Sequence, residues 1–211
     1  MALTPRDGAL AVLLAREGGG REARERWALP WEAPRGDERL DDVAQRVARE
    51  TAGAAPSWLS QVGAFAGGRH PSETDLSVGY VALIPLGAID DTPSDDSEWR
   101  AVSDVAGLGE RQAAIFQGAL STVRDGLDLH PIAFRLLPDA FTLSELQQMY
   151  ELLLGRRLHK ASFRRALQAA YLAEPTDEWR SEGRGRPAQL YRYAPKRRRR
   201  GRRGVRFDLL G

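Results

Sequence analysis

The apolar positions of this chain change period partway along, and the change divides it. In the first part GALAVLLA (8–15), SWLSQVGAFAGG (57–68) and LSVGYVALIPL (76–86) are apolar runs of strand length. The last is so continuous that it predicts a strand buried on both faces. Between the first two, LDDVAQRVARETAG (40–53) sets Leu40, Val43, Ala44, Val47 and Ala48 at helical spacing, with Asp41 and Asp42 near the positive N-terminal end and Gly53 as a stop. The acidic loop DDTPSDDSE leads into WRAVSDV, and a helix is expected over about 110–123. Strands with one helix inserted and one helix closing describe an α/β sandwich.

The second part reads differently. In LHPIAFRLLPDAFTLSELQQMYELLLG (129–155), Thr142 with Glu145 three residues later is a capping box. Leu143, Leu146, Met149, Tyr150 and Leu153 then form an inward stripe that Gly155 ends. HKASFRRALQAAYL (159–172) predicts a second helix with Phe163, Leu167, Ala170 and Tyr171 inward and Arg164 and Arg165 outward. GRGRPAQLYRY (183–193) joins a glycine-rich arginine tip to alternating residues and suits a β-hairpin. Two helices and a basic hairpin make a winged helix-turn-helix, which inserts its second helix into the major groove and grips the backbone with the hairpin.

Composition narrows the class. Zero cysteines exclude disulfides and thiolate metal sites, and three histidines show no zinc spacing. No run approaches the length of a membrane span, and the N-terminal stretch has no signal-peptide pattern, so a cytoplasmic location and no membrane partner are expected. The net charge of +2 conceals a division. Residues 155–211 carry 17 Lys and Arg against 5 Asp and Glu, which leaves 14 against 24 for residues 1–154. A basic final third points to a polyanion, and nucleic acid is the commonest. The run KRRRRGRR (196–203) is equally readable as a solvated tail.

Helix 40–53 and its approach also carry part of a motif. The Nudix hydrolase box, G-x5-E-x7-R-E-U-x-E-E-x-G-U with U aliphatic, lines up on Gly53 with Glu38, Arg46 and Glu50 in place. Val47 and Thr51 stand where two glutamates belong, and Glu32 stands at the opening glycine. Arg46 and Glu50 alone could be an ordinary i, i+4 surface pair. With WALP (27–30), GRHPSETDLSVGYVALIP (68–85), the 131–155 segment and GRGRPAQLYRY in order, the chain resembles the NrtR family of Nudix-related transcriptional regulators of bacterial NAD metabolism.

The resemblance implies an α+β chain: an N-terminal Nudix-like α/β/α sandwich over 1–128, a C-terminal winged helix-turn-helix over 129–195, and a basic tail over 196–211. It implies double-stranded DNA as partner, a small-molecule effector such as ADP-ribose or a related nucleotide sugar, and a homodimer. Glu38, Arg46, Glu50 and Gly53 are the box remnant. Val47 offers no oxygen ligand and Thr51 only a hydroxyl, so no catalytic residue, metal site or cofactor is expected. Arg69 is expected to meet an effector phosphate as a bidentate donor, and Trp31 either lines the cleft or fills it. The family's second helix runs L-x-K-R-N-F-R-R where this chain has LHKASFRR (158–165), which keeps Lys160, Arg164 and Arg165 but puts Ala161 and Ser162 at two positions able to read bases. Lys160, Ser162, Arg164, Arg165, Arg184, Arg186 and Arg192 are the DNA-contact candidates. Two readings follow: a regulator, taken as a repressor, with an inactive sensor domain, or a Nudix hydrolase of weak or altered metal dependence with an appended nucleic-acid-binding module.

Overall fold

A computed structural model describes residues 1–17, 26–68, 74–89, 96–181 and 187–194. The expected contacts Arg69, Arg184 and Arg186 and the basic tail lie outside these residues. The chain forms two compact units, Met1–Val123 and Arg124–Gly211. Among the described residues no helix is long and apolar enough to cross a membrane.

The first unit is built on six strands: β1 (Ala2–Arg6), β2 (Ala9–Glu17), β3 (Arg26–Ala28), β4 (Trp58–Ala66), β5 (Leu76–Leu83) and β6 (Ser97–Ala101). Their order is β3-β2-β1-β5-β4, with β6 along β2. β1 pairs with β5 in parallel, Leu3 beside Leu83, and the other pairings are antiparallel. Val81, Ala82 and Leu83 are successive and all buried, as the continuous apolar run predicts for a strand covered on both faces.

Helices α1 (Leu40–Ala52) and α2 (Glu110–Leu127) supply the covers. The Tyr80 hydroxyl reaches Asp41 of α1 at 2.6 Å, whereas a Cβ on the neighbouring Gly79 would stand 3.1 Å from Ile115 of α2. Successive strand residues point to opposite faces, so the helices sandwich the sheet. α1 ends on Gly53, whose φ of 70° lies in the left-handed region. Leu40, on the stripe expected to be inward, is exposed because that end of α1 borders a cleft. α2 runs four residues beyond its expected end and continues into the second unit.

The second unit holds β7 (Ala140–Thr142), α3 (Leu143–Leu154), α4 (Lys160–Ala170), β8 (Ala173–Arg180) and β9 (Ala188–Tyr193), with strand order β7-β9-β8. The capping box forms as expected: Thr142 Oγ1 accepts from the Glu145 N–H at 3.1 Å, and Glu145 Oε2 accepts from the Thr142 N–H at 2.6 Å. Glu145 Oε1 also takes Arg180 Nη1 at 2.6 Å, which ties the hairpin to the start of α3. Glu151 sets the helix-helix turn by accepting from the Leu158 N–H and from Gln147, each at 2.9 Å. Phe134, Phe141, Tyr150 and Phe163 pack edge-on or tilted at 5.6–6.3 Å and hold α4 against α3. Tyr171 departs from its expected inward place: it is 51% exposed and closes α4 with φ 53°, because the chain must reverse there into β8.

Gly79 is where the sandwich tolerates no side chain. Its Cβ would stand 2.9 Å from the Phe65 ring as well as 3.1 Å from Ile115. Gly79→Ala should lower unfolding stability by about 1–3 kcal/mol, the usual range for overpacking, as read from a urea midpoint.

Candidate functional site

The box remnant is a brace. Arg46 on α1 donates through Nε to Glu38 Oε1 at 2.9 Å and through Nη2 to Glu38 Oε2 at 2.8 Å, and the Arg35 N–H adds a bond to Glu38 Oε2 at 3.1 Å. The Arg46 hydrogen bonds hold the Glu38 carboxyl down from 4.5 to about 2, although burial opposes the shift. The same bonds raise the Arg46 guanidinium. The fork pins the loop before α1 to the middle of the helix.

The positions that would carry metal ligands behave otherwise. Val47 is half-buried, and the Thr51 hydroxyl donates back to the Val47 carbonyl at 2.7 Å. Glu50 is exposed and lies within 3.7 Å of Arg46 Nη1 and 4.0 Å of Arg35. Among the described residues no three metal-ligating side chains cluster.

Two adjoining clefts open over this face. One, of about 310 Å³, is mainly apolar, with Leu40, Val43 and Val47 of α1 facing Leu76, Val78 and Tyr80 of β5. Burial and the Asp41 contact push the Tyr80 hydroxyl up to about 12, so it stays a neutral donor. The other, of about 480 Å³, lies between Arg16 and Ala28 on the sheet and Glu50 and Thr51 on α1. Trp31 borders both and is 42% exposed, so it walls the cleft and does not fill it. The first cleft is within the size range of small-molecule sites. WALP owes its place to Trp27, which sits with the Arg16 and Arg100 guanidinium carbons each 5.5 Å from its ring centre.

Two residues here escape a sequence reading. Arg111 is buried, donating through Nε to the Gly67 carbonyl at 2.6 Å, Nη1 to the Thr74 carbonyl at 2.7 Å and Nη2 to the Gly68 carbonyl at 3.0 Å. Gln112 is also buried, and its Oε1 accepts from the Leu29 N–H at 3.0 Å. The one available signal was an arginine in the first turn of a helix, against the helix dipole.

In the second unit the structure brings four of the expected DNA contacts together on α4. Lys160, Arg164 and Arg165 are exposed, and half-buried Ser162 has its hydroxyl 3.5 Å from His159 Nδ1. Gln168 is exposed three and four residues past the two arginines and extends the same face, a position found by helical spacing alone. Arg192 sits apart on β9, with Nη2 3.7 Å from Glu174.

The second unit matches the model of the NrtR DNA-binding winged helix domain over residues 133–193. Over 175 residues the chain is 33% identical to the ADPR responsive transcriptional repressor NtrR of Acinetobacter baylyi, a match covering 80% of this chain and 70% of that protein. The crystal structure of Shewanella oneidensis NrtR complexed with a 27mer DNA is similar at a TM-score of 0.75 and 27% identity, over 92% of this chain and 91% of that one. A MutT/nudix family protein from Enterococcus faecalis shares the fold, with a TM-score of 0.63 at 22% identity over 92% of this chain and 85% of that one.

The brace carries a pH signature. Glu38 has a lowered carboxyl in the folded state, so its contribution to stability is complete above about 4.5 and fades as pH falls towards 2. Glu38→Gln should therefore be less stable than wild type at pH 7, with the gap in urea midpoint narrowing between pH 4.5 and 2. A gap independent of pH would remove the ion pair as its cause.

Proposed function

The chain belongs to the NrtR family of Nudix-related transcriptional regulators, and from that premise we propose that it is a DNA-binding repressor whose first unit senses ADP-ribose, or a related nucleotide sugar, without hydrolysing it. The observation that carries this is the exposed face of α4, where Lys160, Arg164 and Arg165 stand together on a winged helix. A guanidinium serves equally for phosphate and for guanine, and two adjacent ones on a second helix fit the major groove. A relative named for its response to ADPR supports the effector class, and the cleft beneath α1 offers it room.

The absence of hydrolysis rests on the face of α1 that borders the clefts. Diphosphate cleavage by this fold needs a divalent cation held by several oxygens. Val47 supplies none, Thr51 turns its hydroxyl to its own helix, and Glu50 is shared with two arginines. Purified protein should give no magnesium- or manganese-dependent turnover of ADP-ribose. A rate within about tenfold of the roughly 10 per second typical of enzymes would sink the sensor reading in favour of a hydrolase.

The DNA reading is tested on duplexes selected by the wild-type protein from random sequence. A homodimer would select a palindrome with half-sites about one or two helical turns apart. Arg164→Ala with Arg165→Ala should weaken binding and reduce the salt slope by roughly one for each phosphate left unneutralised, or relax preference at one base pair by about 1–3 kcal/mol. Deleting residues 196–211 should weaken binding without changing the selected sequence. Should that deletion abolish binding while the double alanine leaves affinity and preference intact, the tail is the true contact.

A further inference from the structure

The geometry points to Arg111 and Gln112 as positioning residues that convert occupancy of the cleft into a signal on α2. They are adjacent in the first turn of α2, and each grips a different loop at the cleft's rim. Arg111 holds the chain on both sides of the β4–β5 connection through the Gly67, Gly68 and Thr74 carbonyls and also donates to Ser77 Oγ at 3.3 Å. Gln112 holds the start of the segment that carries Trp31, through the Leu29 N–H. Leu29, Trp31, Thr74, Ser77 and Gln112 all line the apolar cleft. A molecule that displaces either rim therefore pulls on the same helical turn.

The attachment is close and leaves little slack. A Cβ on Gly68 would come 3.0 Å from the Arg111 backbone nitrogen, so Gly68 lies directly against the helix start. Both side chains are buried, and a buried hydrogen-bonded fork resists sliding because each broken bond leaves an unpaired polar group. α2 then runs unbroken from Glu110 to Leu127, and its residues from Arg124 onward belong to the second unit. One helix thus has its first turn in the cleft rim and its last turn in the unit that carries α4. Coupling requires a shared element that both sites bias, and α2 is an element with residues in both units.

This proposal rests on the cleft being the effector site, and the experiment separates the two. Wild type, Arg111→Lys and Arg111→Met, at the residue of the pair that does not line the cleft, are compared for ADP-ribose binding by calorimetry and for affinity to the selected duplex with and without ADP-ribose. Lysine keeps the charge but not the three-way fork, and thermal melting establishes that each variant is folded. The expected result is that both variants bind ADP-ribose and the bare duplex as wild type does. The factor by which ADP-ribose changes duplex affinity, typically about 5–150 for allosteric pairs, should fall towards one. Folded variants with the wild-type factor overturn the proposal alone. Variants that fail to bind ADP-ribose overturn it too, because they would make Arg111 a ligand contact. A wild type that binds DNA yet ignores ADP-ribose overturns the effector reading of the cleft itself, and this proposal with it.

Discussion

Glu38 and Arg46 stand eight residues apart, one in a loop and one in a helix, and two charge-assisted hydrogen bonds join them. The loop before α1 takes its position against that helix from this junction. The loop before α1 makes no strand with its neighbours, so without the fork nothing in its backbone pairing would fix its distance from the helix. Once fixed, it carries Trp31 and Pro34 along one wall while Val43 and Val47 form the floor opposite. The fork uses no box residue other than Glu38 and Arg46. That accounts for the survival of Glu38 and Arg46 where two of the box's glutamates are gone.

The second anchor acts from the other side of the sheet. The rim presents the Gly67, Gly68 and Thr74 carbonyls and the buried Leu29 N–H, and backbone groups of a folded chain are paired. Arg111 and Gln112 supply the partners, which makes the start of α2 a structural part of the cleft. A helix start is an unusual place for a guanidinium, since the dipole disfavours a cation there. Four accepting oxygens offset the penalty, and a breach of a local rule of this kind marks a residue with a non-local duty.

What the sequence disclosed follows from the range of each interaction. The capping box at Thr142, the stops at Gly53 and Gly155 and the stripe of α3 depend on residues within one or two turns, and all were readable. So was the outward face of α4 at Arg164 and Arg165, because Phe163 and Leu167 fix the inward side, although Gln168 on the same face was not singled out. Arg111 was opaque for the opposite reason: its partners lie 34 to 44 residues away and are mostly backbone, which leaves no trace in residue type. Tyr171 misled because its spacing continues the apolar stripe of α4, while the chain reversal into β8 takes it into the left-handed region. The parallel pairing of β1 with β5 joins residues about 80 apart, a separation that periodicity cannot bridge.

The substitutions in the box have a common sense if the first unit is a sensor. A cleft that cleaved its ligand would lower the concentration it reports, and its occupancy would follow turnover as well as supply. A ligand shifts an equilibrium only by its difference in affinity for the two states. That difference survives only while the bound molecule stays intact. Replacing glutamate with valine at position 47 changes a cation-holding site into apolar wall, which weakens reliance on a metal and adds surface that an uncharged part of a ligand can cover. Thr51, bonded to its own helix, adds no charge to that wall. The scaffold, with its brace and clamped rims, is untouched by either change, so recognition can outlast chemistry on the same fold.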